Sequence, residues 1–342
     1  MATRLSFFFI VIFFANAILA QKDSPSKIYL KHYFDMYVPI QKDMWQFSIS
    51  VAKEDKSEVV EKRRHDLLET LNRYKSIVGV SPNFENDSSL RLAVHTWITT
   101  SEDLFKKGYN QIILKKPMAK NSVESMIDYL NSKEQWSTKL EQANENLDNA
   151  AEAFANKYSL RIVEEDTRIG VRIKRINEAF RYYDKIYINF FQAYIHEARF
   201  NQAVNTQNYD TVKLELDLLK KVTETCLNNV LAIDNFNNDP FLKYAAINIL
   251  NSYITTSDSY GKQVLEFYKV QSDFNEIKAV VSSKKREDLT PDEISQYNSL
   301  VKKRNSLAPA FNENTQLFNH SRKVELREWN LAVEEFISKN AL

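Results

Sequence analysis

From Arg168 onward, apolar side chains fall at Ile169, Ile173, Ile176, Phe180, Tyr183, Tyr187, Phe190, Tyr194 and Ala198, at spacings of three and four. A period near 3.5 residues held this long puts them all on one seam of a helix that packs lengthwise against neighbours. Noisier forms of the pattern predict further helices at about 25–54, 57–79, 88–116, 121–160, 209–232, 240–282 and 291–340. Several of these have start signals. Thr290-Pro291-Asp292-Glu293 has the form of a capping box with proline at the first helical position; Ser24-Pro25 and Asn121 with Glu124 are weaker cases. Pro39 and Pro309 lie inside helical runs and predict a kink or break, so the last helix is expected to divide in two.

Two segments are written alike: NFENDSSLRLAVHTWITTSEDLFKKGYNQI from Asn83, and NFNNDPFLKYAAINILNSYITTSDSYGKQV from Asn235. In each, the aspartate of NF-x-ND (Asp87, Asp239) immediately precedes a helical run, where a carboxylate accepts free backbone N–H groups and favours the positive end of the helix dipole. Phe84 and Phe236 are placed to fold back as plugs against the bundle, in the manner of a hydrophobic staple. Tyr33-Phe34-Asp35 answers Tyr182-Tyr183-Asp184, and Asn144-Glu145-Asn146 answers Asn312-Glu313-Asn314. Landmarks in the same order predict a duplicated unit. The expected fold is all-α: an elongated bundle of about eight helices built from two four-helix units, residues 21–165 and 166–342. The charged, short junction Glu164-Glu165-Asp166-Thr167 predicts that the two pack as one body.

Composition agrees with helices, since 342 residues contain only 4 glycines and 7 prolines, the residues that tight turns demand. The opening MATRLSFFFIVIFFANAILA carries Arg4, an apolar run from Leu5 to Phe14, and small residues at Ala15, Ala17 and Ala20. This is the layout of a signal peptide over residues 1–20, with cleavage after Ala17 or Ala20. No cysteine stands there to be lipidated. The single cysteine, Cys226, falls on the apolar face of its helix and reads as a core thiol. Without the leader, basic and acidic residues balance at 45 each, which leaves no electrostatic footprint for nucleic acid.

Candidate chemistry is sparse. None of the five histidines, His32, His65, His95, His196 and His320, has a glutamate three residues before it or a second histidine at helical spacing, so no metal is expected. The glycines are isolated from one another and there is no Gly-x-Ser-x-Gly elbow, so neither a phosphate cradle nor a serine nucleophile is signalled. No catalytic residue and no cofactor is expected. The 17 Tyr, 21 Phe and 4 Trp read chiefly as core, Trp45 and Trp97 included. A candidate pocket between the halves would be lined by Tyr183, Tyr187 and Tyr194, with Asp35 and Asp184 at matching points. Asn86-Asp87-Ser88 and Asn319-His320-Ser321 fit the N-glycosylation pattern, which matters only in a eukaryotic source.

The helix start Asn86-Asp87-Ser88-Ser89-Leu90-Arg91 followed by Phe105 and Tyr109, together with Phe154-Ala155-Asn156-Lys157-Tyr158, resembles a family of uncharacterised all-helical bacterial surface proteins, first catalogued in spirochaetes and found in other Gram-negative lineages. The resemblance implies export, an all-helical body and no assigned activity. Together these readings predict a non-enzymatic scaffold in the periplasm or at the cell surface of a Gram-negative bacterium, not a lipoprotein, that binds an unidentified protein or envelope partner. The alternative is a periplasmic small-molecule carrier or sensor with an aromatic-lined pocket.

Overall fold

A computed structural model of the protein describes residues 24–53, 55–162 and 168–341. The leader at 1–20 and the junction Glu164–Thr167 lie outside the described residues. Within them the protein is all-α, with eight helical rods and no strand. The helices are α1 (Pro25–Ala52), α2 (Ser57–Val80), α3 (Ser89–Asp103), α4 (Tyr109–Lys115), α5 (Val123–Lys157), α6 (Arg168–Thr206), α7 (Tyr209–Leu231), α8 (Phe241–Thr256), α9 (Lys262–Ser283) and α10 (Pro291–Ala341). A π turn, Leu104–Gly108, joins α3 to α4 into one rod, and a second, Ser257–Gly261, joins α8 to α9. The chain divides into two compact units, Met1–Asp184 with Glu335–Leu342, and Lys185–Glu334. This division falls inside α6 and α10, whereas the sequence landmarks divide the chain at residue 165.

In the first unit α1 packs on α2, α2 on α3, and α3 on α5; in the second α7 packs on α8 and α9. The seam of α6 is buried from Ile173 to Phe190, while Ile169, Tyr194 and Ala198 are half-buried. Trp45, Trp97 and Cys226 belong to the core, and burial pushes the Cys226 thiol up to about 11. The capping box closes as expected, Thr290 N–H donating to Glu293 Oε2 at 3.0 Å and Glu293 N–H to Thr290 Oγ at 3.2 Å. Ser24 caps α1 by accepting from Lys27 N–H at 3.2 Å.

Two expectations are corrected. The helix starting near residue 121 is capped by Ser122, which accepts from Ser125 N–H at 3.1 Å, and not by Asn121. Helix α10 runs unbroken through Pro309, as α1 does through Pro39. Each proline deprives the carbonyl four residues earlier of its donor; those carbonyls belong to Asp35 and Asn305, both exposed residues, where water is within reach to take the lost bond.

The NF-x-ND motifs adopt the same structure. Asp87 N–H donates to Phe84 O at 2.8 Å and Asp239 N–H to Phe236 O at 2.7 Å, closing a two-residue turn with left-handed backbone at Glu85, Asn237 and Asn238. The aspartate then accepts the first free N–H of the helix, from Ser89 or from Phe241, at 2.9 Å each. Asp87 also binds Lys157 Nζ at 2.7 Å. Phe236 is buried, but Phe84 is only half-buried, against Tyr29, Phe154 and Tyr158 at centroid distances of 5.2, 5.6 and 4.8 Å.

The π turns also recur, each ending in a glycine that lets a neighbouring helix approach closely. A Cβ on Gly108 would come within 2.6 Å of Trp136, and one on Gly261 within 2.4 Å of Leu216. Phe236→Ala is expected to cost about 3–4 kcal/mol and Phe84→Ala about half of that, read by urea denaturation; equal losses would show that burial does not set the difference. The Lys157 pair and the Ser89 bonds hold the Asp87 carboxyl well below the usual carboxylate range. Asp87→Asn should therefore lower stability by up to about 1 kcal/mol at neutral pH. That contribution is complete above the unfolded-state carboxylate value near 4, so the gap to wild type should close as pH falls through and below it. A gap that holds to pH 2 would exclude the ion pair as its source.

Candidate functional site

Glu197 stands on the seam side of α6, seven positions after Phe190 and three before Phe200. Its side chain has no solvent exposure at all. A carboxylate drawn this far into a helical interface needs a cation, and α10 supplies one: Arg322 Nε donates to Glu197 Oε1 at 2.5 Å. The pair lies at a cavity of about 290 Å3 inside the second unit, walled by α6, by the α8–π–α9 rod and by α10. Polar groups of Ser252, Tyr253, Ser259, Gln263, Asn314 and Glu325 line it, with Tyr260 and Phe318 stacked 4.6 Å apart as an aromatic wall.

Some of these groups are held by one another. Ser252 Oγ donates to Glu325, Asn314 Nδ2 donates to Gln263 Oε1 at 2.5 Å, and Tyr260 Oη lies 3.1 Å from Thr315 Oγ1. Others are not. Glu197 Oε2 and Tyr253 Oη are buried and have no hydrogen-bond partner among the described residues. Arg322, which lines the cavity, makes its one hydrogen bond to a described residue through Nε. Burial raises the Glu197 carboxyl against the opposing pull of Arg322, and raises Glu325 against that of Ser252. Burial also holds the Tyr253 hydroxyl well above the usual phenol range, with Glu197 and Glu325 adding to the effect and Arg322 opposing it. The hydroxyl thus sits within the field of all three charges.

Comparison with the first unit sharpens this. Trp97 and Tyr253 hold the same place, immediately before Ile-Thr-Thr-Ser in the two copies. Trp97 Nε1 donates to Asn144 Oδ1 at 2.6 Å in a sealed interior, where the remaining space lined by Trp97 is apolar and about 20 Å3. Tyr253 Oη is buried without such a partner, and the space that the residue borders is more than ten times larger. A π turn borders the open site, as π turns often do where a helix carries function.

The five residues singled out from sequence take separate places. Asp35 is exposed and pairs with Lys31 Nζ at 2.6 Å, one turn away. Asp184 is half-buried and binds the buried Lys133 Nζ at 2.6 Å; desolvation raises its carboxyl and the lysine opposes the rise. Tyr183 and Tyr187 are core residues, Tyr187 stacking on Phe191 at 5.8 Å. Tyr194 is half-buried and does not line the cavity. Sequence reasoning passed over Glu197, Arg322, Glu325 and Tyr253. The signal for Glu197 was present, a charge on an apolar seam; for the α10 residues there was none, because that helix's pattern is diffuse.

Among the described residues no cluster of His, Cys, Asp and Glu could hold a metal ion, and no helix is long and apolar enough to cross a membrane. Comparison of the chain with family models, with curated proteins and with solved structures gives no match.

Arg322→Met strands a buried carboxylate and should cost about 3 kcal/mol or more at neutral pH. The folded state then binds the Glu197 proton more tightly than the unfolded state does, so the cost should shrink as pH falls through the raised value. Urea denaturation at pH 7.5 and pH 5 tests this; a loss independent of pH would mean that Arg322 acts by packing alone.

Proposed function

We propose that this protein is an exported, non-enzymatic small-molecule carrier or sensor and that the cavity of residues 185–334 is its ligand site. The observation that carries this reading is the cavity of about 290 Å3 itself, which the half-buried Arg322 and Glu325, the polar side chains of Gln263 and Asn314, and the stacked Tyr260 and Phe318 line. The volume lies at the lower end of the range of small-molecule pockets, roughly 300–1,000 Å3.

Binding fits the chemistry of the cavity better than turnover does. Ser252 donates to Glu325 and not to a histidine, so the serine–histidine pairing of many hydrolases is not formed there. Neither cysteine nor histidine lines the space. Export to the periplasm or cell surface rests on the leader-like first twenty residues and on the resemblance to helical surface proteins. The scaffold reading needs only an exposed patch and explains nothing about the cavity, so the carrier reading is preferred.

Native mass spectrometry of the protein purified from its own cells tests the proposal. The expected spectrum shows an excess small mass that vanishes on denaturation and is absent from a Ser259→Trp variant, whose indole fills the cavity. A bare wild-type chain would overturn the carrier reading in favour of a scaffold. A mass retained equally by both proteins would place the ligand elsewhere.

A further inference from the structure

We infer that the ligand is a neutral carbohydrate of one or two sugar units. The inference rests on the cavity being the ligand site, and its basis is the shape of that space and the kind of hydrogen bond its wall offers. The lining on the two facing rods runs from one polar cross-link to another: Ser252 on α8 donates to Glu325 on α10, and Asn314 on α10 donates to Gln263 on α9. The two bonds are eleven residues apart on each rod, so they bracket a slot roughly 16 Å long. Between them the α8–π–α9 rod presents Thr255 and Ser259, and α10 presents Ser321. These short side chains leave the space unfilled, and all three residues are exposed, so the slot is open to solvent. Glu197 and the Tyr253 hydroxyl lie sealed beneath it and take no part in recognition.

On the α8 side the hydroxyl protons are already committed. Thr255 Oγ1 donates to Asn251 O at 3.0 Å, Ser259 Oγ donates to Thr255 O at 2.7 Å, and Ser252 donates to Glu325, so each of these oxygens can only accept a further bond. The opposite capacity is also present. Arg322 is half-buried and can only donate, and Gln263 keeps its amide N–H groups, because its Oε1 is the atom that accepts from Asn314. A ligand that only accepts, such as a dicarboxylate, finds no donor on Ser252, Thr255 or Ser259. One that only donates, such as a diamine, meets the Arg322 charge. A sugar hydroxyl donates and accepts at the same atom and so meets both kinds of partner. The two charged residues that are not sealed, Arg322 and Glu325, are of opposite sign, which favours a ligand without net charge. Leu317, 58% exposed, gives the C–H face of a sugar ring an apolar surface.

Isothermal titration of the full chain with D-glucose, D-galactose, N-acetylglucosamine, maltose, succinate and putrescine tests the inference. At least one sugar should bind, with succinate and putrescine tenfold or more weaker. Ser259→Trp and Ser321→Trp fill the slot from opposite rods at exposed positions; each should abolish sugar binding without lowering the melting temperature. Succinate or putrescine binding as tightly as the best sugar would overturn the carbohydrate assignment while leaving the cavity as the ligand site. Heat from no sugar also overturns it, and so does sugar binding that both variants retain. The retained mass in the native spectrum decides separately whether the cavity binds anything.

Discussion

Inside a helix every backbone donor and acceptor is engaged with its own turn, so an all-helical core offers almost nothing to a polar side chain buried within it. Short hydroxyls can reach a carbonyl one turn back; longer groups must find another side chain. This constraint accounts for the pairs that tie the rods together: Trp97 with Asn144, Lys133 with Asp184, Asn189 with Asn229, and Glu197 with Arg322. The exceptions obey the same logic. Trp136 Nε1 donates to Leu104 O, at the start of a π turn, and Tyr268 Oη donates to Val204 O, in the last turn of α6, where helix geometry leaves a carbonyl accessible.

The two units apply this rule to similar material with opposite results. Both have the NF-x-ND turn, the aspartate at the helix start, and a π turn ending in a glycine against a neighbouring helix. In the first, an indole–amide bond closes the interior and apolar side chains fill it. In the second, a tyrosine stands where the tryptophan stood, a carboxylate enters from α6, and the guanidinium that answers it is only partly used. Similar frames thus enclose a sealed core in one unit and an open polar cavity in the other.

Polar groups buried in a helical protein are costly. The two raised carboxyls and the buried phenol are groups the fold tolerates without fully solvating. The Lys133–Asp184 pair in the first unit shows the alternative, two charges that satisfy each other.

The sequence by itself determined the helices. Their limits follow from local causes: apolar spacing, few glycines, and caps such as Thr290 with Glu293 and Asp87 at Ser89. It also exposed the recurring turn, because a turn is built from residues adjacent in the chain. It misjudged Pro39 and Pro309, since a proline's effect depends on whether water reaches the orphaned carbonyl, which is a matter of exposure. It gathered Asp35, Asp184 and the α6 tyrosines as candidates by matching positions, yet none of these lines the cavity. Only the tertiary structure decided that Glu197, Tyr253, Arg322 and Glu325 share one space. These residues come from three rods and are separated by up to 128 positions, from 197 to 325. Periodicity tells which face of a helix is apolar, but which helix it meets, and in what register, is settled by packing between elements distant in the chain.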